Sequence, residues 1–165
     1  MQIHMKTKYF FIFLFLLGLT VNATAQQSEN GLTSVLKAYK ITTAADGNEV
    51  ATEVTEVTPG DLIEYRLTYT NATGGDISQL QPVLPIPLQM FYLGETASPE
   101  LSGASVSPTA NDFSRPPLTR QVQQPDGSTT TETIPAEEYR RIQWLVPALA
   151  AGESITLTAR VRVRS

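Results

Sequence analysis

Ser34 and Lys37 stand three residues apart, a spacing at which a helical turn would bring the lysine amine beside the serine hydroxyl as in serine–lysine acyl-transfer sites. They fall in a run that alternates as a strand, where a separation of three puts the two side chains on opposite faces. The companion Ser-Asp-Asn and Lys-Thr-Gly motifs are also missing. Carboxylate chemistry has two candidate pairs, Glu137 with Glu138 and Glu53 with Glu56. A glycosidase needs its two carboxyls to face each other across a cleft at roughly 5 to 9 Å, and neighbours on one strand read instead as solvated surface acids. Asp46-Gly47-Asn48-Glu49 crowds several oxygens but lacks the acidic spacing and distant bidentate glutamate of a calcium loop, so it reads as a hairpin turn. Asp61 and Asp76 also sit in turn contexts, which leaves a loop-bound calcium ion open as an alternative.

Three further groups suit binding better than catalysis. Arg160, Arg162 and Arg164 alternate along the last strand-like run, a basic row at a spacing of ~6.7 Å that would grip a carboxylate or phosphate on a polysaccharide or partner. Its structural alternative is cross-strand pairing with acids such as Glu64 and protection of an edge. Phe91, Tyr92 and Phe113 lie beside loops and are candidates for an aromatic platform under a sugar ring, whereas Trp144, in register between Ile142 and Val146, reads as core. Asn71-Ala72-Thr73 fits a glycosylation sequon and equally a turn asparagine.

Lys6 and Lys8, the apolar run Tyr9 to Leu19 and the small residues before Ala25 make residues 1–25 a secretory signal peptide, cut between Ala25 and Gln26. Met5-Lys6-Thr7-Lys8 offers a tighter alternative start. The apolar run is too short for the ~20 residues of a membrane-crossing helix, so no span is expected after cleavage. Removing the signal takes Lys6, Lys8 and the only histidine, His4, and no acid, so 12 basic and 16 acidic side chains become 10 and 16, a net charge of −6. Phosphate binding needs clustered Lys and Arg, so this acidity argues against nucleic acid as a partner. The mature chain then has neither histidine nor cysteine, which excludes Ser-His-Asp and Cys-His catalysis, His-ligated metal, disulfides and a lipid-modified cysteine. No cofactor is expected. An exported domain without disulfides points to a bacterial source, and the localisation expected is periplasm, exterior or cell surface.

The elements that must position these residues are strands. Gln26 to residue 33 is a polar leader, and residues 34–165 form one domain. A first strand spans Val35 to Ile41, Asp46-Gly47 turns it, and Glu49 to Val57 returns. Pro59-Gly60-Asp61 opens the clearest strand, in which Ile63, Tyr65, Leu67 and Tyr69 alternate with polar residues up to Asn71 and are assigned to the core. Ile77 to Pro87 carries Pro82, Pro85 and Pro87, which lack the ladder donor and place it at an edge or on a crossing between sheets. Met90 to Leu93 is a short strand, residues 94–119 read mainly as loop, and a polar hairpin turns at Pro125-Asp126-Gly127. Tyr139 to Val146 forms a strand, Pro147 to Gly152 a turn, and Ile155 to Val163 a final strand with complete alternation. Without any helical period, this pattern predicts an all-β, antiparallel β-sandwich of about seven to nine strands, with a closed barrel as runner-up.

The order Pro59-Gly60-Asp61, Ile63-Glu64-Tyr65, Tyr69-Thr70-Asn71, Leu84-Pro85-Ile86-Pro87, Trp144 and Leu149-Ala150-Ala151-Gly152-Glu153-Ser154 before an alternating strand resembles a bacterial family. The family it resembles is the conserved-repeat domain of exported and surface proteins, domain of unknown function eleven, and the similarity covers roughly residues 34 to 165. The resemblance implies an immunoglobulin-like sandwich with stalk or adhesive roles and no established catalytic residues. This chain carries a single copy with no visible wall anchor. The function expected is therefore a non-enzymatic exported module for binding or assembly at the cell envelope, its partner an envelope or surface protein or a polysaccharide. A carbohydrate-binding module is the alternative, and a carboxylate-based hydrolase the remote one.

Overall fold

A computed structural model describes residues 31–165. The signal peptide, its cut between Ala25 and Gln26, and the leader up to Asn30 lie outside the described residues. The described residues form twelve strands: β1 (Leu32–Thr43), β2 (Glu49–Glu53), β3 (Leu62–Asn71), β4 (Ile77–Leu80), β5 (Val83–Pro85), β6 (Met90–Tyr92), β7 (Gly103–Ser105), β8 (Thr119–Gln123), β9 (Thr129–Thr133), β10 (Arg141–Gln143), β11 (Val146–Leu149) and β12 (Ser154–Val163). One 3-10 turn, Ala136–Glu138, precedes β10. The fold is thus all-β. Every pairing is antiparallel, and the sheets are open: β2-β1-β3-β12-β6, β5-β10-β7, β11-β4 and the hairpin β8-β9. No barrel forms.

The two strands with the cleanest alternation, β3 and β12, pair with each other in the middle of the large sheet. Ile63, Leu67 and Asn71 of β3 and Leu157, Ala159, Val161 and Val163 of β12 are buried, and Tyr65 and Tyr69 pack half-buried against the same core. Their outer faces are polar and in register: Thr68 and Thr156 share a hydroxyl hydrogen bond of 2.8 Å, and Thr70 and Ser154 one of 2.7 Å. Each such cross-strand pair contributes about 0.2–1 kcal/mol. Facing them in one hydrophobic cluster are Leu84, Ala104 and Ile142 from the three-stranded sheet and Val146 and Leu149 from β11.

Two expected strands each divide in two. Ile77 to Pro87 becomes β4 and β5, and Tyr139 to Val146 becomes β10 and β11, with the halves in different sheets. The cause is visible at the breaks. The Trp144 N–H donates to the Pro82 carbonyl at 3.0 Å instead of to a continuous ladder, and the indole nitrogen donates to the Pro99 carbonyl at 2.8 Å. Both chains therefore change sheet at one level, stitched together there, and Trp144 is fully buried as core. Pro147, expected in a turn, lies within β11, whose only partner is β4; the turn is carried by Ala150 to Glu153, with Glu153 N donating to Ala150 O at 3.0 Å. The stretch read as loop also holds β7, whose Ala104 is completely buried against β10.

Asn71 closes β3 with a side chain that has no exposed surface. Its amide nitrogen donates to the carbonyls of Gly75 and Leu149, each at 2.9 Å, and its carbonyl accepts from Thr73 N at 3.0 Å and from the Thr73 hydroxyl. The sequon is therefore an internal turn, with no room for a glycan on the nitrogen. Asn71→Ala is expected to lower unfolding stability by about 2 kcal/mol, because the buried Leu149 carbonyl and the Thr73 N–H lose their partner. Asn71→Asp should cost at least as much, since it aims a carboxylate at two carbonyl oxygens. Urea titration measures both, and wild-type stability in either variant would refute the role.

Candidate functional site

The residues singled out for chemistry are not brought together. Ser34 and Lys37 lie on β1, and the Lys37 amine is held by Glu53 at 3.0 Å. Glu138 pairs with Arg120 at 2.9 Å, while Glu137 faces a cavity that none of Glu53, Glu56 and Glu138 reaches. The acids considered for calcium serve turns. Asp46 accepts from Asn48 N at 3.0 Å, Asp61 from Thr58 N at 2.9 Å and from Lys40 at 2.6 Å, and Asp76 from Ala151 N at 3.2 Å. Among the described residues no group of acids is placed to hold a metal ion.

The arginine row is three separate contacts. Arg160 stands opposite Glu64 in the β3–β12 register and donates to it at 3.1 Å, and it forks onto Glu49 at 2.9 and 2.6 Å. Glu64 also accepts from Arg66, whose guanidinium lies 4.1 Å from the Tyr39 ring centre. Arg160 thus has no free fork for a ligand. Arg162 donates to the Gly60 carbonyl at 3.2 Å, and Arg164 to the Leu88 carbonyl at 2.9 Å while lying over Phe91.

The aromatic candidates form no common platform. Phe91 and Tyr92 are strand neighbours and point to opposite faces. Tyr92 is 2% exposed and stacks on Tyr139 with ring centres 6.2 Å apart, so it belongs to the core rather than to a sugar site. Phe113 packs beside Gly103 under the Arg141 guanidinium, 4.8 Å away. Phe91 is half-buried on the large sheet, with the Arg164 guanidinium over its ring.

Two features that residue type did not signal emerge instead. The first is a half-open cavity of about 720 Å³. Its apolar wall comes from Tyr92, Leu101, Ile134 and Tyr139, with Pro116 and Pro117 on another side. Gly94 and Ala136 abut within it: a Cβ on Gly94 would come to 3.1 Å from the Ala136 Cβ. Glu95 and Glu137, the next residues on each side, consequently flank this contact, and Glu100 lies further along the same β6–β7 connection. Glu95 adopts a φ of 61°, a left-handed conformation that costs a non-glycine residue about 1 kcal/mol or more. Burial, the largest influence on the Tyr92 phenol, raises its pKa, partly offset by hydrogen bonds from Thr96 and Ala97. It stays neutral.

The second feature is an open edge. β1 pairs with β3 from Leu32 to Lys40 but with β2 only from Tyr39 to Thr43, so Leu32 to Lys37 has no neighbour on its outer side among the described residues. Ala38 O accepts from Val54 N on the β2 side and Gly31 O from Ala72 N on the β3 side. By the two-residue repeat of a strand, Ser34 and Leu36 then direct their N–H and C=O outward. Val35 and Leu36 are 48% and 50% exposed there, one on each face. The return strand expected from Glu49 to Val57 would have reached Val35 in this register, but β2 stops at Glu53 and leaves the first half of β1 uncovered.

Comparison of the chain with protein-family models, with curated proteins and with solved structures finds no match. Among the described residues no helix is long and apolar enough to cross a membrane.

The ion pairs have a pH signature. Hydrogen bonding from Arg160 holds the Glu49 carboxyl below the ordinary 4.5, and hydrogen bonding from Lys40 holds Asp61 below 3.8. A depressed carboxylate adds stability above its unfolded value, and that stability is lost as pH falls through the folded value. Unfolding stability is therefore expected to decline below about pH 4.5. Arg160→Met should be less stable near pH 7 and show a shallower acid limb; an unchanged limb in pH-dependent urea titration would separate Glu49 from the effect.

Proposed function

We propose that the chain is an exported module with an immunoglobulin-like sandwich fold that acts without catalysis, by binding or assembly at the bacterial cell envelope. The signal-like N-terminus supports export, and the shared core between the large sheet and the smaller ones supports the sandwich. The observation that carries the binding role is the open edge of β1. An extended segment of an envelope or surface protein pairs along Leu32 to Lys37, taking the outward groups of Ser34 and Leu36 as its hydrogen-bond partners. Its side chains cover Leu36 on the core side and Val35 on the other. Edge strands left this apolar are usually shielded by charge, proline or a bulge, and here the one charge, Lys37, is neutralised by Glu53.

Leu36→Pro tests this directly. Because the Leu36 N–H points away from β3, proline deletes an outward donor and no internal ladder bond. A photo-crosslinking residue at position 34 of the exported chain should join an envelope protein through an extended segment, and Leu36→Pro should cut the yield at least tenfold. The same probe at position 156, on the outer face of β12, should give no such adduct. Equal adducts at both positions, or indifference to Leu36→Pro, would refute strand addition; an adduct only to a second copy would replace the partner with self-assembly. Mass spectrometry of the exported chain should find Gln26 at its start.

A further inference from the structure

The cavity beside the 3-10 turn is separate from the β1 edge, and we propose that it binds a short basic peptide segment, with two Lys or Arg side chains flanking an apolar one. The charged side chains that line it are of one sign, with Arg115, next to Pro116, standing 3.9 Å from Glu100. Glu95, Glu100 and Glu137 line it, and no lysine or arginine does. The acids come from two walls, the β6–β7 connection and the 3-10 turn, so a ligand must offer positive charge at more than one point to meet them. The same lining carries the apolar Leu101 and Ile134, which suits an apolar side chain beside the charged ones.

Other occupants fit less well. A volume of about 720 Å³ lies within the range of about 300–1,000 Å³ usual for sites that enclose an organic ligand, and it exceeds what a lone amine would fill. A sugar would need an open aromatic face, and Tyr92 and Tyr139 spend theirs on each other. Phosphate-bearing ligands meet three carboxylates. The three acids are exposed, so each contributes to steering and selectivity, while the apolar wall supplies the desolvated contact.

The test is calorimetric titration of the cleaved chain, at low ionic strength, with the blocked peptide Lys-Leu-Lys-Leu-Lys. The expected result is one saturable site. Glu95→Gln with Glu137→Gln should weaken it at least tenfold, whereas Glu53→Gln with Glu56→Gln, which removes the same charge far from the cavity, should change it less than twofold. Thr133→Trp, which fills the cavity without touching its charge, should weaken it as much as the first pair, and thermal melts establish that each variant folds. The serine-spaced peptide Lys-Ser-Lys-Ser-Lys should bind at least tenfold more weakly. Equal loss in both glutamine pairs would reduce the binding to diffuse attraction by an acidic protein, and spermidine binding as tightly as the leucine peptide would make the ligand a bare polycation. Either result, or no binding, overturns the proposal.

Discussion

The amide of Asn71 is the junction on which the arrangement of sheets depends. Its main chain continues the large sheet, exchanging hydrogen bonds with Glu153 and Gly152 at the start of β12, while its side chain crosses to Leu149 at the end of β11 and to Gly75 before β4. One fully buried residue thereby sets the separation between the five-stranded sheet and the β4–β11 pair. Burying an amide without partners costs several kcal/mol, so the site tolerates only the arrangement in which all of its hydrogen-bonding groups are met. Among the described residues no buried side-chain nitrogen or oxygen is left without a partner, so the constraint is satisfied throughout.

A second set of buried polar contacts decides where the cavity lies. The Trp144 indole holds the Pro99 carbonyl, and so anchors the connection that carries Glu100 and Leu101. The Tyr139 hydroxyl accepts from Leu118 N at 3.1 Å, which fixes the segment following Pro116 and Pro117. Leu118 and Ile134 are bonded at the base of the β8–β9 hairpin, N to O at 2.8 Å, and both are buried. The exposed hairpin thus projects from a base that is part of the core, and the cavity opens between that base and the β6–β7 connection. Its walls are loops held by the core, an arrangement in which recognition surfaces commonly arise.

Charge is distributed so that the large sheet spends its cations internally. Glu49, Arg160, Glu64 and Arg66 form a chain of contacts across four strands' worth of surface and end on the Tyr39 ring. Exposed pairs of this kind each contribute little, about 0–1 kcal/mol, but they take Arg160 out of the basic row, while Arg162 and Arg164 meet only main-chain carbonyls. The acids Glu95 and Glu137 at the cavity and the apolar edge of β1 lie on different parts of the fold.

The sequence by itself determined the strands whose side chains must alternate: in β3 and β12 the two-residue repeat is complete, and burial of one face leaves a single register possible. It also determined the hairpin turns at Asp46-Gly47 and Asp126-Gly127, since those residues prescribe local backbone geometry, and the absence of cysteine from the chain and of histidine beyond His4, which is a matter of composition. Arg160's pairing with Glu64 was legible as an alternative for the same reason, because registers follow from alternation. Tertiary structure alone decided the rest. Whether Trp144 ends a strand or continues one depends on Pro82, distant in the chain; whether Tyr92 is a platform or core depends on Tyr139; and the open half of β1 exists only because β2 stops short beside it. These outcomes rest on contacts between segments far apart in sequence, whose energy enters only when the chain is packed, and no local pattern records them.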